Sequence, residues 1–261
     1  MKEAHAEVCG RRESGEGIFV LALRTELARE IAAGQFVNVK VAEVEPFLRR
    51  PFSVAWCEGD VMELLIQERG RGTKILGQTA PGAALSLLGP LGTPFDLEAL
   101  AKAPGVDLLA GGVGSAPLIL LAAQLRARAP TLPVRLFLGA RTRALLPEPD
   151  VAAARVPEIK LATDDGTAGG RGTVLDLYAA HIRPERVLCA CGPTGMLEAV
   201  RKLAAERTLR CFLSLEVEMA CGFGVCQGCV VRLANGAYAK VCEDGPVFDA
   251  AALAPLRPLT G

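Results

Sequence analysis

The chain has 261 residues, room for two ordinary domains and a small module, so it can bury a core without disulfide staples. Its 29 Lys and Arg balance 29 Asp and Glu, and a formal net charge of zero offers no global field to gather nucleic acid or anionic lipid. Hydrophobic residues make up 51%, yet the longest uncharged apolar run, Leu108 to Ala123, is broken by Gly111, Gly112, Gly114 and Pro117, which excludes a transmembrane helix and a membrane partner.

The opening text, MKEAHAEVCGRRE, alternates charged and apolar residues without a stretch of signal-peptide length, and this predicts a cytoplasmic protein. Residues 1–98 read as all-β. GIFVLAL, FVNVKV, PFSVAW and VMELLIQ are short β-rich runs between Gly, Pro and charged turns, and an antiparallel barrel is their natural closure. Within them lies Arg50-Pro51-Phe52-Ser53, and about 20 residues on comes RGRGT, with Gly72 and Thr73 at the start of a predicted short helix. An Arg neutralises a pyrophosphate, a Ser hydroxyl serves a flavin ring nitrogen, and Gly-Thr at a helix start offers N–H donors to phosphate. Either piece alone fits an ordinary strand start or loop. In this order on a barrel, the pair points to a flavin dinucleotide.

Residues 99–215 change texture, with strand-like runs alternating with helix-length ones. VDLLAGG leads into PLILLAAQLRARA, VRLFLGA into a loop or helix, EIKLATD into TVLDLYAAHI, and RVLCACG into TGMLEAVRKLAAE. Repeated βα units predict a doubly wound parallel sheet. Gly111, Gly112 and Gly114 form a phosphate-type turn ahead of a helix whose first turn holds Pro117, which stands where the third glycine of a strict dinucleotide fingerprint would be. Cys191-Gly192-Pro193 follows a strand and precedes a helix, at the carboxyl edge where such sheets bind ligands.

Residues 216–261 are Gly- and Cys-rich, with one helix-length apolar stretch at the end. Cys221, Cys226, Cys229 and Cys242 follow C-x4-C-x2-C-x12-C, a plant-type 2Fe-2S pattern with a close fourth cysteine, so the module is short and leans on a neighbour. Gly222, Gly224 and Gly228 let backbone N–H groups approach the sulfurs. Four thiolates also suit zinc, but zinc sites usually pair two C-x2-C knuckles and only one is present. The nine cysteines are an odd count and do not read as a secreted disulfide framework. Cys9, Cys57, Cys189 and Cys211 remain as core or surface thiols. His5 and His181 lie in no motif, and no catalytic acid or base stands out, as suits redox chemistry carried by cofactors.

With these motifs the chain resembles the ferredoxin-NADP reductase superfamily, which pairs an FAD-binding barrel carrying R-x-[YF]-S with a nicotinamide domain carrying G-G-x-G-x-[AT]-P and C-G-P. SLEVEMACGFGVCQGCVV followed by KVCEDGPVF narrows the resemblance to the electron-transfer subunits of two-component, NAD-linked dihydroorotate dehydrogenases. The resemblance spans essentially the whole chain and implies FAD, a 2Fe-2S cluster and NAD as electron acceptor. It implies an FMN-containing dihydroorotate dehydrogenase catalytic subunit as partner, two plus two, in UMP biosynthesis. By residue, it implies that Arg50, Pro51, Phe52, Ser53, Ile66, Gln67, Glu68, Gly72 and Thr73 hold FAD. Gly111, Gly112 and Gly114 would meet the NAD pyrophosphate, with Cys191, Gly192 and Pro193 beside the nicotinamide and Asp164-Asp165-Gly166 on the same edge. Cys221, Cys226, Cys229 and Cys242 would ligate the cluster. Relatives often carry an aromatic residue followed by Arg where this chain has Ile66-Gln67. The competing reading is an NAD(P)H-dependent flavin and iron-sulfur reductase of another carrier or oxygenase system.

Overall fold

The computed structural model describes residues 1–43, 45–147, 152 and 155–257. Strands β1 (Lys2–Gly15), β2 (Ile18–Arg24), β3 (Phe36–Lys40), β4 (Arg50–Glu58), β5 (Val61–Gln67) and β6 (Ala84–Leu91) close a barrel in the order β1-β2-β5-β4-β3-β6. Period-two alternation does the sorting: Ala4, Ala6 and Val8 of β1 are buried while Glu3, His5 and Glu7 are exposed. Strand β2 is buried on both faces. Phe19, Leu21 and Leu23 join the barrel core, whereas Ile18 and Val20 pack with Ala55, Leu65 and Ala116 outside it.

Helix α1 (Arg71–Gly77) interrupts the barrel and α2 (Leu97–Ala101) leaves it. Strand β7 (Val106–Gly111) then leads through a 3-10 turn into α3 (Ser115–Arg128), and β8 (Val134–Ala140) follows. Pro117 is the third residue of α3, where its missing N–H has no intrahelical partner to lose. After β8 comes the 3-10 turn Arg143–Leu145; residues 148–151, 153 and 154 beyond it lie outside the described residues. The order continues with β9 (Glu158–Thr163), β10 (Gly170–Arg171), α4 (Val174–Ala179), β11 (Val187–Cys191), α5 (Thr194–Glu206) and β12 (Cys211–Ser214). The last segment forms a two-stranded ribbon, β13 (Val230–Arg232) and β14 (Tyr238–Lys240), and then β15 (Val247–Asp249).

The sheet runs β10-β9-β8-β7-β11-β12-β15, parallel throughout except for β15, which pairs antiparallel with β12. The helix-length apolar text at the end therefore contributes this edge strand and a 3-10 turn, Ala250–Ala252. Asp249 caps that turn through Ala251 N–H at 2.9 Å, which ends the strand.

Helix α3 has no polar face over its first eight residues, because it lies between the barrel and the sheet. Gln124 clasps the two: its Oε1 accepts from Ala33 N–H at 2.8 Å and its Nε2 donates to the Ile31 carbonyl at 3.0 Å. Asp107 on β7 is fully buried and shared by Arg135, at 2.8 and 2.6 Å, and Arg186, at 2.7 Å. These charges cross-link β7, β8 and the start of β11 at the sheet end opposite the glycine turn. Among the described residues no helix is long and apolar enough to cross a membrane.

Candidate functional site

The two glycine-containing loops of the nucleotide sheet are built against each other. Strands β7 and β11 are adjacent, so the turn after β7 and the Cys191-Gly192-Pro193 turn after β11 leave the same edge. A Cβ on Gly114 would stand 2.6 Å from the Cys191 carbonyl oxygen, and one on Gly111 2.8 Å from Pro193 Cδ. Gly114 is thus required for packing of one motif on the other. Gly114→Ala must spread the loops and is expected to raise the KM for NADH at least about tenfold, since misplacement by a fraction of an ångström is costly in an oriented site. Steady-state kinetics on the FAD-loaded protein check this.

Above this edge, between barrel and sheet, lies a cavity of about 420 Å³, a size suited to a cofactor fragment. Gln67 and Arg69 line it from the barrel, and Gly111, Gly112, Pro193 and Glu216 from the sheet. Arg141 and Asp164 line it too, while Asp165 lines a separate depression. Thr167 donates its hydroxyl and backbone N–H to Asp165 at 2.6 and 3.0 Å, holding that carboxyl below the usual range.

Glu216, in SLEVEMACG, and Arg69, in RGRGT, lie within quoted motifs but were assigned no role there. The signal for Glu216 was its place two residues after Ser214 ends β12, at the carboxyl edge where doubly wound sheets bind ligands. The buried Cys191 thiol donates to Glu216 Oε1 at 3.8 Å. Burial pushes that thiol well above its usual range, so it stays protonated. Glu216 itself presents surface to the cavity yet is walled by protein. This desolvation raises its carboxyl pKa, against the opposing pull of Arg69 and the Cys191 hydrogen bond. A carboxyl raised in the folded state contributes stability below its ordinary value of 4.5 and loses it as pH rises through the folded value. The melting temperature of Glu216→Gln is therefore expected to gain on that of the wild type as pH rises above the ordinary carboxylate value, as differential scanning calorimetry would read.

The flavin-type residues lie around β4 and α1. Arg50 heads β4, donates to the Leu48 carbonyl at 2.6 Å, and lies over Gly72, whose added Cβ would meet Arg50 Nε at 3.2 Å. Thr73 Oγ1 accepts from Arg69 and Gly70 N–H at 2.9 and 3.1 Å, tightening the start of α1 beside that guanidinium. Register places Ser53 opposite Phe36 and Pro51 opposite Asn38 of β3. Phe52 is half-buried against the barrel core, and Glu68 N–H donates to the Gly17 carbonyl at 2.7 Å. Ile66, expected among the residues that hold FAD, turns its side chain inward. It is 1% exposed in the barrel core, so only its backbone faces outward. The cation and the side-chain-free cradle at Gly72 fit a pyrophosphate.

The four thiols of the C-terminal module lie in one loop system, two of them anchored in the core. Cys229 and Cys242 are buried with Phe36 and Leu91 of the barrel and Phe248 of β15, and Thr93 N–H donates to the Gly245 carbonyl at 2.5 Å. Cys221 and Cys226 are more exposed, Cys226 most of all. Cys221 and Cys226 lie on the outer part of the loop, Cys229 and Cys242 on its buried part. Among the described residues no three His, Cys, Asp or Glu side chains converge as one metal ion would need. Four thiols are the donor set of a two-iron centre in which each iron takes two thiolates. Backbone donors are already aimed at sulfur: Gly224 N–H to Cys242 at 3.1 Å, Cys226 N–H to Cys221 at 3.4 Å and Gly228 N–H to Cys226 at 3.4 Å. Partial burial opposes ionisation of Cys221, but the N–H groups of Cys226, Phe223 and Val225 bring it down to about 6. Burial pushes Cys242 up to about 12. The donor set fits a 2Fe-2S centre.

The remaining thiols are structural. Cys189 and Cys211 are buried, and desolvation raises both above the ordinary thiol range. Cys57 is pushed up to about 12 by burial and Glu63. His181 caps its own helix through Leu177 at 2.8 Å, and His5 lies on the exposed side of β1.

The chain was compared with known proteins. Residues 216–254 match the iron-sulfur cluster binding domain of dihydroorotate dehydrogenase B. The dihydroorotate dehydrogenase B (NAD+) electron-transfer subunit of Bacillus caldolyticus is 40% identical over 251 residues, covering 93% of this chain and 95% of that one. Its counterpart in Geobacillus sp. strain WCH70 is 37% identical over 256 residues, with 96% and 98% covered. Among solved structures, an NADH-dependent reduced ferredoxin-NADP oxidoreductase studied for flavin-based electron bifurcation superposes with a TM-score of 0.83 at 25% identity, covering 96% of this chain and 90% of that one. On barrel, nucleotide sheet and four-thiol module alike, the chain belongs to the family of dihydroorotate dehydrogenase B (NAD+) electron-transfer subunits.

Proposed function

We propose that the chain carries electrons from the FMN of a dihydroorotate dehydrogenase catalytic subunit to NAD, in a complex of two electron-transfer and two catalytic subunits serving pyrimidine synthesis. The observation that carries this reading is the joining, in one packed chain, of a four-thiol loop, a flavin-type strand and a dinucleotide edge. When bound, the 2Fe-2S centre supplies one-electron steps and FAD converts them to hydride exchange with NAD.

The residues' own work is binding and orientation. Cys221, Cys226, Cys229 and Cys242 hold the centre. Arg50 with Gly72 and Thr73 cradles the FAD pyrophosphate, while Pro51, Phe52, Ser53, Gln67, Glu68 and the Ile66 backbone bound the ring and adenosine. Gly111, Gly112 and Gly114 admit the NAD pyrophosphate, and Cys191-Gly192-Pro193 with Glu216 shapes the nicotinamide end. Phe223, Val225, Val230 and Tyr238 supply most of the large apolar side chains exposed among the described residues. All four fall on the iron-sulfur module, which supports docking of the catalytic subunit there.

Co-purification from the native host, followed by cofactor analysis and a dihydroorotate:NAD assay, tests the reading. An FMN-containing partner and NAD reduction driven by dihydroorotate are expected. A flavin and iron-sulfur chain without such a partner would instead be the reductase of another carrier or oxygenase system.

A further inference from the structure

Asn38 belongs to none of the motifs above, yet it stands between two of them. It is 2% exposed on β3, on the outer barrel face with Phe36, because Val37 and Val39 fill the interior. Its cross-strand partner on β4 is Pro51 of the flavin-type motif, and the next such pair joins Phe36 to Ser53. Directly opposed residues on one sheet face are side-chain neighbours. Across the chain, Asn38 Nδ2 donates to the carbonyl oxygen of Cys221, the first cluster-type cysteine, at 2.9 Å.

Two further observations show that the contact is built. Gly222 has φ +78°, and a Cβ there would fall 2.1 Å from Asn38 Nδ2, so the loop approaches as closely as a residue without a side chain allows. Asn38 Oδ1 is buried with no hydrogen-bond partner, a cost tolerated where the amide must keep its nitrogen turned to the loop. The carbonyl of Cys221 has no place in a regular strand or helix, and Asn38 supplies its donor.

We propose that Asn38 is a positioning residue: its carboxamide fixes the Cys221 end of the iron-sulfur loop against the flavin-binding face of the barrel, and so sets how the two cofactor sites lie relative to each other. The proposal rests on the functional reading above. It assigns Asn38 no contact with a reacting atom, only the placement of a ligand-bearing backbone. A leucine of similar volume would preserve packing but not the hydrogen bond, and serine restores a donor that alanine lacks.

The test uses the cofactor-loaded complex bearing Asn38→Leu, Asn38→Ala or Asn38→Ser. Three measurements are made: FAD content, the electron paramagnetic resonance spectrum of the dithionite-reduced cluster, and amide exchange over residues 221–226. Shifted cluster g-values and at least about tenfold faster exchange are expected in Leu and Ala, with Ser between Ala and the wild type. Gly222→Ala should reproduce the shift from the other side of the contact, and it stands in if the Asn38 variants do not fold. Wild-type-like spectra and exchange in Leu and Ala, or in Gly222→Ala, overturn the assignment of Asn38. A wild-type complex with no reduced-cluster signal overturns the functional reading, and the assignment with it.

Discussion

Replacing Cys226 with alanine is expected to lower dihydroorotate-driven NAD reduction by at least about 100-fold, to background, while NADH:dye activity through the flavin persists. Cys226 is the most exposed of the four thiols, its backbone N–H donates to Cys221 Sγ, and Gly228 N–H is aimed at the Cys226 sulfur. On the proposed reading, removing it would leave one iron of the two-iron centre short of a protein ligand. The flavin-type strand and the nucleotide edge are untouched, because Cys226 lies in an exposed turn rather than in the buried cluster that holds Cys229 and Cys242. Measuring the coupled and dye-linked rates on the same preparation, with FAD content as the folding control, separates the two halves. A coupled rate that survives would sink the relay.

Asp107→Ala is expected to produce the largest loss of stability, about 3–5 kcal/mol, because it strands two guanidinium groups in the interior. Arg135 and Arg186 are 6% and 5% exposed, and Asp107 accepts hydrogen bonds from Arg135 and forms an ion pair with Arg186. Arg186 also donates to the Val106 and Pro133 carbonyls at 3.0 and 2.6 Å, so it cannot swing to solvent without freeing backbone acceptors. For a chain this long the loss corresponds to a fall of roughly 6–20 °C in melting temperature. Calorimetry checks it. A fall of a degree or two would mean that water reaches the triad. The charges sit at the far end of the sheet from the glycine turns, so NADH affinity of the surviving folded fraction should change little.

How much of the site was legible depends on how local each feature is. The C-x4-C-x2-C spacing and its glycines are written within nine residues, and the structure directs the Gly224 and Gly228 N–H groups at sulfur as that spacing implies. The barrel was legible for the same reason, since inward and outward positions alternate within each strand. Ile66 shows the limit. Its neighbour Gln67 lines the cavity, and only the register of β5 on β2, which pairs Ile66 with Phe19, tells which of the two faces inward. Glu216 was hidden because a glutamate after an apolar run has no spacing signature. It gains a role only when β12 settles beside β11 and brings the Cys191 thiol to its carboxylate.

By itself, then, the sequence determined the class of each module, the order barrel, nucleotide sheet and iron-sulfur loop, and the spacing of the four thiols. All of these are set by short-range patterns of apolar period, glycine and cysteine. Only the tertiary structure decided how the modules are joined. Strand β15 completes the nucleotide sheet from within the iron-sulfur segment, Gly114 abuts the Cys191 turn, and Asn38 holds Cys221 from 183 residues away. Contacts of that range arise from burying two apolar surfaces against each other, and no spacing along the chain specifies which polar groups the burial will bring together.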